Sequence, residues 1–407
     1  MIPDDQVEEV RLRADIVDVI SDYVPLKKSG KDYKARCPFH EERTPSFYVV
    51  PSKGFYNCFG CGASGDVFSF LMKKGGLEFV EAVRHVAGKV GIELRETRQG
   101  DEARDDPNRP LYEVNAFARA FYAERLADPE EGRDARDYLT SRGVDDAIVE
   151  RFGLGYAPDD WRALRDAAAV HGFDDDLLME VGLLSTSEKA PEPYDRFRHR
   201  VVFPIEELGG RVVAFGARVL GKGDKGPKYL NSPETPVYHK GDVLYGLSWA
   251  RHNIRREGAV MVVEGYMDLV SLAAAGFDNV VAPLGTSMTE EQARLLGRYT
   301  KRVFLLFDSD RAGLEATFRA GDVLLAAGLS PAVVTLPPGE DPDTVVRKEG
   351  RPALQGYLED AVDVLDRKLQ ILEREGYLDR IEGRRRGIDG VLSTLRAARD
   401  PALRDIY

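Results

Sequence analysis

The sequence predicts an α+β chain of several domains: a small cysteine-bearing region of short strands and helices, a basic mixed region, a parallel-sheet α/β unit and a helical tail. Three observations carry this. All three cysteines fall between positions 37 and 61. From Gly258 onward, short apolar runs alternate with helical patterns, the order that builds βαβ units around a parallel sheet. The chain has 407 residues, more than one ordinary domain, so roughly two to four are expected.

Taken in order, residues 5–23 show helical apolar spacing through Val7, Val10, Ile16, Val19 and Ile20. The cysteine region and further helical patterns follow to about residue 90. The polar stretch from Arg95 to Pro110 buries nothing and reads as a linker. Helical patterns resume from Leu111 to about Val149, and then two strands, Arg200–Ile205 and Arg211–Val219, flank Gly209-Gly210 as a hairpin. From Ala259 the strand–helix alternation runs through Val334, and beyond about Val346 the pattern is helical to the end.

No apolar run approaches the roughly eighteen residues of a membrane span, and the acidic N-terminus is unlike a secretory signal, so a cytoplasmic protein without membrane contact is expected. The formal charge of −12 argues against a uniformly basic nucleic-acid binder, but local patches decide binding. Leu26–Gly62 holds seven Lys/Arg against three acids, and Tyr194–Lys240 nine against five.

Cys37-x2-His40 and Cys58-x2-Cys61 are separated by 17 residues. Two-residue spacing lets paired ligands reach one ion from a tight turn, and four soft or borderline donors suit tetrahedral zinc. No position is left for water or substrate, so one structural zinc is expected. Lysines and arginines interleave here with Tyr33, Phe39, Phe47, Tyr48, Phe55, Tyr56 and Phe59. Such a mixture suits contact with a single nucleic-acid strand, while most of these rings are expected to fill a small core.

Acids recur at the ends of successive strands of the α/β unit. Glu264 and Asp268 follow Ala259–Val263, Asp308 and Asp310 follow Arg302–Phe307, and Asp341 and Asp343 follow the last strand. In open α/β sheets ligands bind beyond the carboxyl ends of the strands, so the three loops are expected to converge. Clustered carboxylates repel unless a cation neutralises them, and oxygen donors suit magnesium or manganese, one ion or two. Any single acid also has an ordinary structural use: Asp308 alone would serve as N-cap of the helix beginning near Arg311. Arg196, Arg198 and Arg200 alternate, which places them on one face of a strand, followed by Arg218, Lys225, Lys228, Tyr229, Asn231 and Lys240. Gly221-x4-Gly226 is followed by Pro227-Lys228, so it fails as a Walker phosphate loop.

The set "CPFH…CFGC", "RFRHRVVFPI", "PKYLNSPET", "VVEGYMD" and "FDSDRAG" resembles the bacterial DnaG-type DNA primases, from the first residues to about Tyr407. The "EGYMD" and "DSDRAG" pair resembles the Toprim fold, shared with topoisomerases and some nucleases. The resemblance implies a zinc-ribbon domain over 1–95, a linker over 96–110, and a polymerase core made of a basic subdomain over 111–257, a Toprim domain over 258–340 and a helical subdomain over 341–407. It implies synthesis of short RNA primers on single-stranded DNA from ribonucleoside triphosphates, leaving an RNA–DNA hybrid, by a monomer at the replication fork. Glu264, Asp308 and Asp310 match the family's magnesium ligands, and Asp268, Asp341 and Asp343 its remaining catalytic acids. Arg142, Arg198, Arg200, Arg218, Lys228, Tyr229, Asn231 and Lys240 fall where the family handles nucleotide and template. The family also carries a domain that binds a replicative DnaB-type helicase; the sequence stops at Asp405-Ile406-Tyr407, near where that domain would begin. Two other readings stay open: a Toprim nuclease or topoisomerase, although none of the 17 tyrosines is marked as a nucleophile, and a non-catalytic DNA-binding module.

Overall fold

In a computed structural model, residues 2, 4–92, 94, 106–188, 190–221, 226–285, 287–374, 381–398 and 404–405 are described. The chain divides into two units, Met1–Asp106 and Pro107–Tyr407. Most of the expected linker and Lys225 lie outside the described residues.

In the first unit the helical pattern over 5–23 forms two helices, Asp4–Arg13 and Ile16–Ser21. The break comes at Asp15, whose carboxylate accepts the amides of Val17 and Asp18 and so starts the second helix. Five short antiparallel strands follow in sequence order: β1 (Lys27–Ser29), β2 (Asp32–Ala35), β3 (Phe47–Val50), β4 (Phe55–Cys58) and β5 (Ser64–Gly65). Alternation sorts the aromatics by face. Phe47, Val49 and Tyr56 are fully buried beside Phe70 of helix Val67–Gly75. Helix Phe79–Val90 adds Val83 and Val86 to the same core.

The second unit opens with helices Arg109–Ala127, Arg133–Ser141 and Asp146–Phe152. A four-stranded sheet is built from β6 (Gly155–Ala157), β9 (Arg200–Glu206), β10 (Val212–Val219) and β11 (Tyr229–Asn231), with the small hairpin β7 (Leu184–Ser187) and β8 (Ala190–Asp195) inserted before β9. β9 and β10 pair antiparallel across Gly210, whose φ of 84° makes the turn the sequence predicts.

One expectation fails in this sheet. The arginines at 196, 198 and 200 do not share a strand face, because β9 begins only at Arg200. His199, at φ 49°, turns the chain just before it, so the alternation at 196–200 is that of a turn. Arg196 donates to the Asn231 carbonyl at 3.0 Å, and Arg198 donates to the Asp195 carbonyl and lies 4.0 Å from the Trp161 ring. Arg200 is buried and donates to the Pro227 carbonyl at 3.0 Å.

Asp195, at the end of β8, joins the hairpin to helix Ala163–Val170 by accepting the amides of Leu164 (2.7 Å) and Arg165 (3.1 Å). Burial pushes its pKa from the ordinary 3.8 up to about 7, outweighing the two amides, which act in the opposite direction. A carboxyl raised by folding favours the native state while protonated. Its contribution is complete below pH 3.8 and is lost as pH rises through 7. Asp195→Asn is therefore expected to flatten the fall of Tm over that window, read by thermal melts across pH; an unchanged pH profile would contradict this.

The α/β sheet has the order β13 (Val280–Val281), β12 (Ala259–Val263), β14 (Arg302–Leu306), β15 (Ser330–Val333) and β16 (Val362–Asp363). The first four are parallel and β16 is antiparallel to β15. β12 is buried at every position, as a central parallel strand covered on both faces must be. The region after Val346 is thus not wholly helical: β16 interrupts helices Pro342–Glu359 and Val364–Arg374. Among the described residues, no helix is long and apolar enough to cross a membrane.

Candidate metal centres

The first centre lies where β2 and β4 end. Cys37, His40, Cys58 and Cys61 each offer a ligand atom, and all four atoms lie within 4.8 Å of one another. The sulfurs of Cys37 and Cys61 are 3.8 Å apart, and the Cys58 sulfur is 3.8 Å from His40 Nδ1. Backbone amides of Phe39 and Gly60 point at the sulfurs of Cys37 and Cys58, each at 3.4 Å. Gly60 is required for more than its turn: a Cβ there would lie 2.6 Å from His40 Nε2.

Two residues that spacing did not mark complete the centre. Glu42 accepts the Cys37 amide at 2.6 Å and the Ser46 amide at 3.0 Å, and its other oxygen lies 3.4 Å from His40 Nε2. A carboxylate on the far ring nitrogen fixes the tautomer that leaves Nδ1 for metal. Ser46 Oγ lies 3.2 Å from the Cys58 sulfur. Nothing in the sequence distinguishes Glu42 from its neighbour Glu41; the signal exists only through space. Four thiolate and imidazole donors at this separation fit tetrahedral zinc with every position filled, a structural site.

The outward face of the same sheet carries the aromatics that the core leaves out. Strand register sets Lys27, Lys34, Tyr48, Asn57 and Ser64 in one row across all five strands. Phe59, in the zinc turn, is 76% exposed and meets Tyr48 edge-on at 5.4 Å.

The second centre lies at the carboxyl ends of the parallel strands. β12 and β14 are neighbours with Val263 opposite Leu306, so Glu264 leaves the sheet level with Phe307, one residue before Asp308. The Asp308 amide donates to Glu264 Oε1 at 3.1 Å. Asp268 sits in the first turn of helix Tyr266–Ala274. Ser309 ties the next loop in: its hydroxyl donates to the Glu340 carbonyl at 3.1 Å and accepts the Gly339 amide at 2.8 Å. The three acidic loops therefore converge.

Their roles within the fold differ. Asp310, rather than Asp308, is the N-cap of helix Arg311–Ala326, accepting the Gly313 amide at 2.7 Å. Asp341 caps the helix at Pro342 through the Thr344 amide. Asp343, 1% exposed, ion-pairs with Arg142 and with Arg347 (2.9 Å). Glu264, Asp268 and Asp308 are left without an ion-pair partner among the described residues. Burial, then the charges of Asp341, Asp308, Asp343 and Glu264, push Asp268 up to about 8. Burial and neighbouring acids also raise Glu264 and Asp308, and Lys228 opposes the rise at Asp308. Carboxylates that raise one another's pKa form an oxygen-donor set that a cation would neutralise, which fits magnesium or manganese.

Gly313 has a sharper role than easing the helix start. A Cβ there would lie 2.3 Å from the Asp308 carbonyl oxygen and 3.0 Å from Glu264 Oε1. Gly313→Ala is expected to cost about 1–3 kcal/mol of stability by overpacking and to weaken divalent-metal binding, measured by melts and metal titration. A variant as stable as the parent would show that the loop has room to move.

Of the basic and polar candidates, Lys228 stands close enough to Asp308 to act on its charge, and Arg142 is joined to Asp343. Arg218 lies 4.2 Å from the Tyr138 ring and 6.0 Å from that of Tyr229, and Tyr229 in turn feels the charge of Asp268. Asn231 accepts the Tyr266 hydroxyl at 2.9 Å and donates to the Leu284 carbonyl at 3.1 Å. Gly216 makes that contact possible, since its Cβ would fall 2.3 Å from the Tyr266 ring. Lys240 is held by its backbone, through Glu234 and Gln292. Arg198 is packed on Trp161 and Tyr194, and Arg200 on the Pro227 loop. Arg347, Tyr138 and Ser309 were not legible as parts of this site.

Three family models match the chain: CHC2 zinc finger over residues 2–102, DNA primase catalytic core, N-terminal domain over 121–251, and Toprim-like over 261–346. A DNA primase of Clostridium acetobutylicum is 42% identical over 371 residues, 91% of this chain and 61% of that protein. The chain spans still smaller shares, 58% and 55%, of the primases of Halalkalibacterium halodurans and Pseudomonas putida. Among solved structures, the Aquifex aeolicus primase (zinc-binding and RNA polymerase domains) aligns with a TM-score of 0.64 at 35% identity, covering 98% of this chain and 94% of that one. A DnaG primase catalytic domain bound to single-stranded DNA aligns with a TM-score of 0.64 at 37% identity, covering 74% and 93%. With its zinc ribbon, catalytic core and Toprim sheet, the chain belongs to the DnaG-type DNA primase family.

Proposed function

We propose that this chain synthesises short RNA primers on single-stranded DNA. The 3′-hydroxyl of one ribonucleotide attacks the α-phosphate of the next nucleoside triphosphate, and pyrophosphate leaves. The convergence of Glu264, Asp268 and Asp308 at adjacent strand ends, unpaired and beside Lys228, carries the reading. Magnesium or manganese held by Glu264, Asp308 and Asp310 would lower the pKa of the attacking hydroxyl and neutralise the charge that develops on phosphate.

The chain's own residues do the rest. Glu264, Asp308 and Asp310 hold the metal, with the Asp310 cap fixing the loop's shape. Asp268 and Asp341 add negative charge around it, and Asp343 is locked by Arg142 and Arg347. Arg198, Arg200 and Lys228 position phosphates, and Arg218, Tyr229, Asn231 and Lys240 handle nucleotide and template. In the first unit, the row Lys27–Lys34–Tyr48 with exposed Phe59 offers cations and stacking faces to a single strand. A relative described as bound to single-stranded DNA supports the template assignment. The domain limits read from the sequence, a monomeric cytoplasmic enzyme acting at the fork, and a replicative helicase partner complete the proposal.

The test is incorporation of the four ribonucleotides on single-stranded DNA with magnesium, manganese or neither, alongside incubation with supercoiled DNA. Metal-dependent RNA products without relaxation or nicking are expected. Nicking or relaxation without RNA synthesis would replace the proposal with a Toprim nuclease or topoisomerase.

A further inference from the structure

A second cleft, of about 450 Å³, lies against the far members of the acidic site and is lined by Thr140, Ser141, Arg142, Ser271, Val346 and Arg347. Its floor holds an anomaly. Ser271, in the second turn of helix Tyr266–Ala274, is 2% exposed, and its hydroxyl has no hydrogen-bond partner among the described residues. A buried hydroxyl without a partner costs on the order of 1–3 kcal/mol, so something outside the chain is expected to satisfy it. Two guanidiniums form the walls. Arg142 commits Nη1 to Asp343 and Arg347 commits Nε, and no described residue takes their remaining N–H groups. Asp343 is the carboxylate that faces the pair, and Asp341 acts on Arg142 by its charge. The guanidiniums keep N–H groups beyond those that Asp343 takes, and paired guanidiniums with hydroxyl donors are the recognition set for phosphate oxygens.

We propose that this cleft binds a phosphate group, with Arg142 and Arg347 as its cationic arms and the Ser271 hydroxyl as its inner donor. It deepens the assignment of Arg142 to nucleotide or template, and rests on that reading only for the source of the phosphate: a nucleoside triphosphate or the backbone of a single strand. Asp343 holds both arms in place, which gives a structural reason for a fully buried acid at the rim of a metal site.

Ser271→Ala isolates the claim, because it removes the orphaned hydroxyl and leaves the Asp343 ion pairs intact. Binding is measured on the full chain without added magnesium, by calorimetry for inorganic phosphate and ATP and by anisotropy for a single thymidine strand. Ser271→Ala is expected to melt no lower than the parent while losing about tenfold or more in affinity for phosphate. A matching loss for ATP alone assigns the source to nucleotides. A matching loss for the strand, with an unchanged salt slope because both guanidiniums remain, assigns it to the backbone. Unchanged affinity for all three probes, or a parent that binds none of them, overturns the proposal, and neither result bears on whether primers are made.

Discussion

Asp308→Ala is expected to cut primer synthesis by about three orders of magnitude or more while leaving the fold intact. Metal neutralisation of phosphoryl charge is worth several kcal/mol, and each 1.36 kcal/mol is about tenfold in rate. The carboxylate stands among acids that raise its pKa, so removing it relieves repulsion, and the variant should melt at or above the parent in the absence of metal. Loss of activity with retained stability separates a metal ligand from a structural acid. Asp310 is predicted to behave differently, because it also caps helix Arg311–Ala326. Asp310→Ala should lose activity and also about 0.5–2 kcal/mol of stability. Wild-type rates for Asp308→Ala with magnesium would remove the assignment.

Cys58→Ser is the second large effect. Cys58 is fully buried at the end of β4, receives the Gly60 amide and stands 3.2 Å from Ser46 Oγ. Structural zinc contributes about 10–16 kcal/mol of binding free energy in small domains, and that energy is folding energy. The variant is expected to lose bound zinc and the ordered signals of the first unit, and to weaken template selection. The second unit has its own cores and should retain its melting transition. Metal analysis and paired melts check both halves; equal zinc in variant and parent would contradict the account. Glu42→Gln should weaken zinc about 10–100-fold, the range for a second partner of a ligating histidine.

How far the sequence alone reached follows from which interactions are local. Ala259–Val263 and Val303–Leu306 were legible as parallel strands because a strand covered on both faces must be continuously apolar. The zinc ligands were legible because two-residue spacing is itself the geometry of a chelating turn. The convergence of three acidic loops followed from the rule that such sheets bind beyond their carboxyl ends. The failures share a cause as well. The alternation of Arg196, Arg198 and Arg200 mimics a strand, but His199 takes a left-handed conformation that no pattern announces. The helix start near Arg311 was legible, but its cap is Asp310 rather than Asp308, a difference set by one amide hydrogen bond. Glu42 beside His40, Arg347 beside Asp343 and the orphaned hydroxyl of Ser271 are facts of distance across the fold, and no residue type or interval encodes them.

The central claim is that Glu264 and Asp308, with Asp310, hold a divalent cation. Manganese titration followed by electron paramagnetic resonance tests it without requiring any activity. The parent should bind at least one manganese ion that magnesium displaces, and Asp308→Ala should lose it while keeping its zinc. Identical manganese binding by the two proteins would contradict the claim.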